Sequence, residues 1–504
     1  MEPFENGYGT YSPPPEVPRR EYPVGRRELV FGGLILLAGI LLCNFTLYGG
    51  FNLGFGIGIW VTVLSTAGYL LSGGCRLTPY SGVLLGMTLV ISAGFARSDD
   101  GFVKFVMFCF LFTAGNLGLT TLAGKNRRDP GGISSIGDVF YTAFAHSFHL
   151  DGAFFGFRTM FRKSGPGARK GGAVAAGLVV AVPLLILVVF LLMRADAAFE
   201  GLVDLLPDFR LGELIPTVLF GGALFCLLFT RGLSLMAEPV KPGAVKNRKG
   251  IHPLTVNTVL IAVCLVYLVY LFSQLAYFAG GLGGILPENY TMAEYARRGF
   301  FEMAWLCAIN LGLIALAVGL VEKKDGATPM VTKLLCLFVS VITVFFVVAA
   351  SGKMFLYIGS YGLTRLRVLT QVIMLFLCLT TVTTAVWLFL PKVPYMKVVV
   401  ILALVIGAVV FWADVDTVVA RYNVRAYLRG QLETVDVGHL DSLGCAAVPY
   451  LAELAEKAPD PMVVRQAGDV LEYWYQAQPE DFRGWNYVRS AAEPYLPGSE
   501  VTDS

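Results

Sequence analysis

Apolar runs of about 20 residues recur along the chain, the length a helix needs to cross a bilayer core. Short segments rich in Lys, Arg, Gly and Pro divide them. Eleven such runs predict membrane spans at 29–47, 52–71, 79–96, 102–122, 172–193, 214–232, 254–279, 299–321, 330–351, 366–390 and 396–412. The run at 79–96 is short, and the last two are parted only by Pro391-Lys392-Val393-Pro394-Tyr395. Glycines inside 52–71 weaken a helix in water but are common in membrane helices, where they let neighbours approach.

Two flanking regions read differently. Residues 1–28 are polar and Pro-rich, including Pro13-Pro14-Pro15, which predicts a disordered tail. Beyond the last span, residues 413–504 show helical periodicity in three stretches: Val418 to Leu428, Val448 to Ala455 and Val463 to Tyr475. Pro449, Pro459, Pro461 and Pro479 punctuate them. The expectation is a small extramembrane domain of short helices with a core around Trp474, Tyr475 and Trp485. Between the fourth and fifth spans, residues 133–163 set seven phenylalanines among small and basic residues, the profile of an interfacial amphipathic helix or of a loop packed on the bundle.

Composition agrees with this layout. The 504 residues are 56% apolar and 15% charged, with a mean hydropathy of +0.66. A soluble chain of that length must coat each domain with more polar surface. A soluble enzyme, a disordered chain and a nucleic-acid partner are therefore excluded. Seven of nine cysteines lie inside apolar runs and none forms a metal or redox spacing.

The basic residues also set an orientation. With the N-terminus inside, the cytoplasmic segments carry 23 Lys and Arg and the opposite loops nine. An odd number of spans then places 413–504 outside. That tail is net −8 against +11 for the remainder. The fold class expected is an all-α polytopic transmembrane bundle of a cell membrane, N-terminus cytoplasmic and C-terminal helical domain extracytoplasmic.

Three segments could carry chemistry. His146, His149 and Asp151 form H-x-x-H-x-D, but a metal needs a further ligand and His252 and His439 lie far away in sequence; interfacial polar residues explain the pattern as well. Glu294 to Glu302 opens the eighth span, with Glu294, Arg298 and Glu302 at spacings of four, so that one helical face holds alternating charges beside Arg297. This is either a clamp at the membrane surface or an anion or proton site. Tyr361-Gly362-Leu363-Thr364-Arg365-Leu366-Arg367 opens the tenth, with Thr364 as a helix cap. Arg297, Lys353, Arg365 and Arg367 would make a cationic rim suited to phosphate or carboxylate, or serve as snorkelling anchors. Glu302, set just inside an apolar run, is expected to pair with Arg365 or Arg367.

The paired segments 294–302 and 361–367 resemble a group of bacterial multi-pass membrane proteins catalogued as domain of unknown function 4173, with a sister family numbered 4153. Asp416 to Asn423 and Ala447-Val448-Pro449 resemble that family's C-terminal part. The resemblance spans roughly residues 200–455 and implies a membrane-embedded fold with no established activity, ligand or cofactor.

Three function classes stay open. Solute or ion transport fits the spans and the intramembrane Asn116, Asn257, Gln274, Asn310 and Gln371. Envelope sensing fits a bundle carrying an exported helical module that meets a protein partner. A membrane enzyme acting on lipid or cell-wall precursors would have Glu302, Asp414 and Asp416 as its acids, with no histidine beside them. The lipid bilayer is the expected surrounding, an anionic small molecule a possible ligand of the arginines, and neither a metal nor a cofactor is called for.

Overall fold

The computed structural model describes residues 25–126, 128–132, 188, 191–192, 211–237, 250–281, 300–323, 327–475 and 482–496. Among these the regular structure is helical, and a single isolated bridge joins Ile251 to Val321. Ten helices form the apolar part: α1 (Arg26–Gly49), α2 (Leu53–Ser72), α3 (Pro79–Gly94), α4 (Gly101–Leu122), α5 (Leu211–Ala237), α6 (Pro253–Gly281), α7 (Phe300–Leu320), α8 (Met330–Tyr361), α9 (Arg365–Phe389) and α10 (Tyr395–Ala413). Nine of the described helices are long and apolar enough to cross a membrane; α3, at 16 residues, is shorter. The chain is thus a multi-pass membrane protein. All of the run at 172–193 but Val188, Leu191 and Leu192, the 133–163 segment with its histidines, and the N-terminal tail before Gly25 lie outside the described residues.

Local chemistry sets the helix ends. Thr78 and Ser81 form a reciprocal cap at the start of α3, and Asp100 accepts from Val103 N at 2.7 Å to start α4. In the spans, hydroxyls bond back to their own helix, as in Thr62 to Gly58 O at 2.8 Å and Thr88 to Leu84 O at 2.8 Å. The eighth apolar helix, α8, runs on to Tyr361 where a span ending at 351 was expected. Ser351-Gly352-Lys353 is polar enough to leave the hydrocarbon but carries nothing that breaks a helix; Gly362, at φ +71°, does.

The helices pack in two groups. α1–α5 and α10 share cores that include Phe31, Ile35, Leu70 and Leu233 at one level and Leu84, Ile91, Phe95, Met107, Leu404 and Phe411 at another. α1 and α5 cross closely at glycines: a Cβ on Gly39 would stand 2.8 Å from Gly221 O. The second group, α6–α9, buries Leu260, Tyr267, Cys307, Ile314, Val339 and Phe346. α9 lies against α10 and joins the groups through the Leu390–Pro394 turn. Outward positions such as Val266, Val269, Phe272 and Trp305 are exposed large apolar groups, a surface for lipid.

The bundle has two faces. Arg26, Gly73, Gly131, Ala237 and the Leu390–Pro394 turn lie at one, where Met396 N donates to Gly131 O. Gly49, Glu213, Gly362 and Ala413 lie at the other, where Tyr48 Oη donates to Glu213 O at 3.0 Å. The C-terminal part sits on this second face as α11 (Val415–Leu428), α12 (Val437–Asp441), α13 (Val448–Lys457), α14 (Pro461–Tyr475) and α15 (Tyr487–Ala492). Its core is Val419, Val424, Leu440, Val448, Leu451, Leu454 and Ala467, with Leu363, Val368, Leu369 and Val410 of the bundle packed against it. Trp485, expected in that core, is 44% exposed. Small aliphatic residues fill the space between these short helices, and the indole is left at the rim.

Candidate functional site

Charged and amide side chains gather where the C-terminal helices meet the bundle. The turn between α3 and α4, where the apolar runs break, supplies Asp99 and Asp100. Asp100 caps α4 through one oxygen and forms an ion pair with Arg365 Nη1 at 2.7 Å through the other. Arg365 stands in the first turn of α9. Its Nε and Nη2 grip both oxygens of Asp416, and Nη2 also reaches Ser442 O at 3.1 Å. One guanidinium therefore ties α9, the α3–α4 turn and two segments of the C-terminal part together.

Asp416 is 3% exposed and Asp414 4%. Asp414 links α10 to α11 in the left-handed region at φ +49°, with Thr417 Oγ1 donating to its carboxylate. Burial pushes the carboxyl of Asp416 up to about 6 even though Arg365 works against it. Asp414 is raised as well, again through burial, with Thr417 and Arg97 opposing.

A second ion pair sits beside the first. Arg489, in α15, donates to Asp99 through Nε at 3.0 Å and Nη2 at 2.8 Å, and the carboxylate holds its guanidinium above its usual range. Lys104 Nζ lies 3.7 Å from Asp99 and donates to Asn52 Oδ1 at 2.9 Å. Asn486, 1% exposed, caps α15 and donates to Asn52 Oδ1 at 3.0 Å and Ser98 O at 2.9 Å. Tyr487 N donates to Ala96 O at 2.7 Å, and the Arg97 guanidinium lies 4.2 Å over the Tyr487 ring. Farther along the face Arg483 meets Glu213 at 2.6 Å.

The residues singled out from sequence fall in different places. Arg297 and Arg298 lie outside the described residues. Glu302 is exposed in the first turn of α7, and its charge acts on Lys353. Among the described ion pairs none joins Glu302 to either arginine: the carboxylates of Arg365 are Asp100 and Asp416. Those acids come from the α3–α4 turn and the C-terminal part, so spacing along α7 and α9 held no trace of them. Arg367 points elsewhere, donating to Tyr361 O and Gly362 O and lying 4.2 Å over the Tyr357 ring, so it closes the end of α8. Both guanidiniums are held by the protein's own acceptors.

Asp99, Asp100, Asn486 and Arg489 escaped the sequence reading. The pair Asp99-Asp100 ahead of a Gly-led apolar run carries a cap signature that marks a helix start. Asn486 and Arg489 sit in a polar tail with nothing to set them apart.

The intramembrane amides are all engaged where described. Tyr267 Oη donates to Asn310 Oδ1 at 2.5 Å, and Asn310 Nδ2 to Thr343 Oγ1 at 2.9 Å. Asn257 accepts from Thr332, Asn116 donates to Phe112 O and Gln371 to Ser351 O. The side chain of Gln274 lies outside the described residues. Among the described residues no three His, Cys, Asp or Glu side chains form a metal cluster.

A family described as Domain of unknown function (DUF4153) matches residues 85–454. The match is to the sister of the family numbered 4173, to which the sequence motifs first pointed. No curated protein and no solved structure matches the chain.

Proposed function

The chain belongs to the DUF4153 family, a membership that brings no activity with it, and we propose that it is a non-enzymatic cell-membrane protein that senses the envelope through its C-terminal helices. The basic-residue asymmetry supports an N-terminus in the cytoplasm and those helices outside, with residues 413–504 as the reporting module. The observation that carries the reading is the three-way grip of Arg365 on Asp100, Asp416 and Ser442. Ion pairs buried at an interface add little net stability, and their best-attested use is to fix one arrangement against others. A module held this way is docked in one register, and a change in its charge or surroundings can release it.

Transport has less support, because the described amides of the spans are engaged in helix–helix or same-helix bonds. Hydrogen exchange of Tyr487–Ala492 in the full chain, reconstituted in nanodiscs, tests the proposal while salt, pH and osmotic pressure are varied. Protection that falls sharply under one of these supports it. Protection that stays constant under all three refutes it. Labelling a cysteine introduced at Asp503 tests the orientation: reagent added outside intact cells is expected to reach it, and labelling only after permeabilisation would reverse the assignment.

A further inference from the structure

The opposite face of the bundle holds a cation that the interface above does not use. Arg231 lies inside α5, about a turn and a half from its end at Ala237. It is 6% exposed, and its Nε and Nη1 are buried without an acceptor among the described residues. Its remaining nitrogen meets only Thr120 Oγ1 of α4, at 3.5 Å, and that hydroxyl already donates to Asn116 O at 2.7 Å. The next residue back, Thr230, also has a buried hydroxyl without a partner. Among the described residues the other buried charged side chains have partners: Glu28 has Arg27 and a bond from Gly25 N, Asp414 has Thr417, and Asp416 has Arg365; the half-buried Arg97, whose Nε also lacks an acceptor, lies over the Tyr487 ring.

A guanidinium does not lose its proton in proteins, so Arg231 cannot shed the charge as a lysine would. Unpaired charges at membrane depth are costly and mark functional positions. This face carries Arg26, Arg27, Arg76, Lys125 and Arg128, against Glu28, Asp129 and Glu322 among its described acids. Such a rim draws anions toward it.

We propose that Arg231 is the principal ligand of a bound phosphate group, held between α4 and α5 close to the Arg26 face. Planar N–H groups match phosphate oxygens, and a phosphate would supply the acceptors that Nε and Nη1 lack. The unpartnered hydroxyl of the adjacent Thr230 is available to assist, whereas that of Thr120 is committed to Asn116 O. The phosphate can come from a phospholipid headgroup of the adjoining leaflet or from solution.

The test uses the full chain in an uncharged detergent, with thermal unfolding followed by tryptophan fluorescence. Inorganic phosphate, short-chain phosphatidylglycerol and short-chain diacylglycerol are titrated at constant ionic strength. Wild type is expected to be stabilised in a saturable way by phosphate, by phosphatidylglycerol or by both, and not by diacylglycerol. A response to the lipid alone identifies a headgroup, and a response to inorganic phosphate identifies a soluble anion. Arg231→Gln should lose the response, the apparent affinity falling roughly 10- to 100-fold for one charge-assisted interaction, while Arg231→Lys keeps part of it. Without ligand, Arg231→Gln should unfold no earlier than wild type, since the charge it removes is then unpaired. Should that variant fail to fold, native mass spectrometry of wild type and Arg231→Lys gives the answer through retained phosphate or lipid mass. A response unchanged in the variants, or no response to either phosphate source, overturns the proposal.

Discussion

Replacing Arg365 with glutamine should loosen the C-terminal helices at α11 and α15 while leaving the bundle helices in place. Removing one partner of a buried ion pair costs about 3–5 kcal/mol. Two features lower that figure here. The Arg365 side chain is 32% exposed, so water already screens part of the pair. The stranded Asp416 can also take up a proton, at about 1.4 kcal/mol for each unit between its pKa and the ambient pH. Asp100 keeps its bond from Val103 N and is not orphaned. The expected loss at pH 7 is therefore about 2–3 kcal/mol in local opening free energy. Hydrogen exchange of Val415–Leu428 and Tyr487–Ala492 in the reconstituted full chain measures it. The double variant Arg365→Met with Asp416→Leu removes the charge problem altogether and should lose less than the two single changes summed, with a coupling of about 1–2 kcal/mol. Additive losses would show that the grip contributes nothing as a unit.

Acidification acts through the same carboxylates. Folding raises Asp416 from 3.8 to about 6, so the folded state binds more protons between those values and this group's contribution grows as pH falls through 6 and is lost as pH rises through it. Asp414, raised in the same direction, adds to the slope, with Asp100, Arg365 and Arg97 as the charges facing the pair; protection of α11 should rise from pH 7 to pH 5 and Asp416→Asn should flatten that rise, the opposite slope refuting the assignment. Gly362→Ala forces a Cβ to φ +71° and to 2.5 Å from Asn423 Oδ1, which holds Leu363 N at 2.7 Å; a loss of about 1–3 kcal/mol is expected in thermal unfolding, against little for Gly359→Ala, which meets open space. Asn310→Leu breaks the Tyr267–Asn310–Thr343 chain inside the second helix group and should lower stability by about 1–2 kcal/mol, an unchanged melting point showing that the network is dispensable.

Ten of the eleven expected spans have helices in the described residues, because a 20-residue apolar run has one way to satisfy its backbone in lipid. Helix ends were less legible: α8 outlasts its apolar run, since polarity ends a span but only Gly362 ends the helix. The function of Thr364 as a cap could be read from its place before the tenth run, and it accepts from Arg367 N. The partner of Arg365 could not be read. The place of Glu302 just inside an apolar run, on the same side as the start of the tenth span, pointed to that residue instead. The actual acids, Asp100 and Asp416, are about 265 and 51 residues away along the chain; the first meets Arg365 through the packing of the two helix groups and the second through the docking of the C-terminal part. Arg231 hid for a related reason: beside a run of cytoplasmic lysines and arginines it counted as a topology signal, and only its burial sets it apart.

The two helix groups are fastened at opposite faces by different means. At the Arg26 face the five residues Leu390–Pro394 join α9 to α10 by covalent chain. At the other, Arg365 at the head of α9 reaches Asp100 at the head of α4 through charge. On the proposed reading, the covalent turn at one end and the ion pair at the other would act as the pivot and latch of a pair of jaws, with Leu363 and Val410 also packed on the C-terminal core at the second face. Opening the latch leaves the turn intact, so the groups would part first at the Asp414 face. With helices of about 20 residues, roughly 30 Å, a rotation of a few degrees at the pivot moves the far ends by an ångström or two, enough to pull a bidentate ion pair beyond bonding distance.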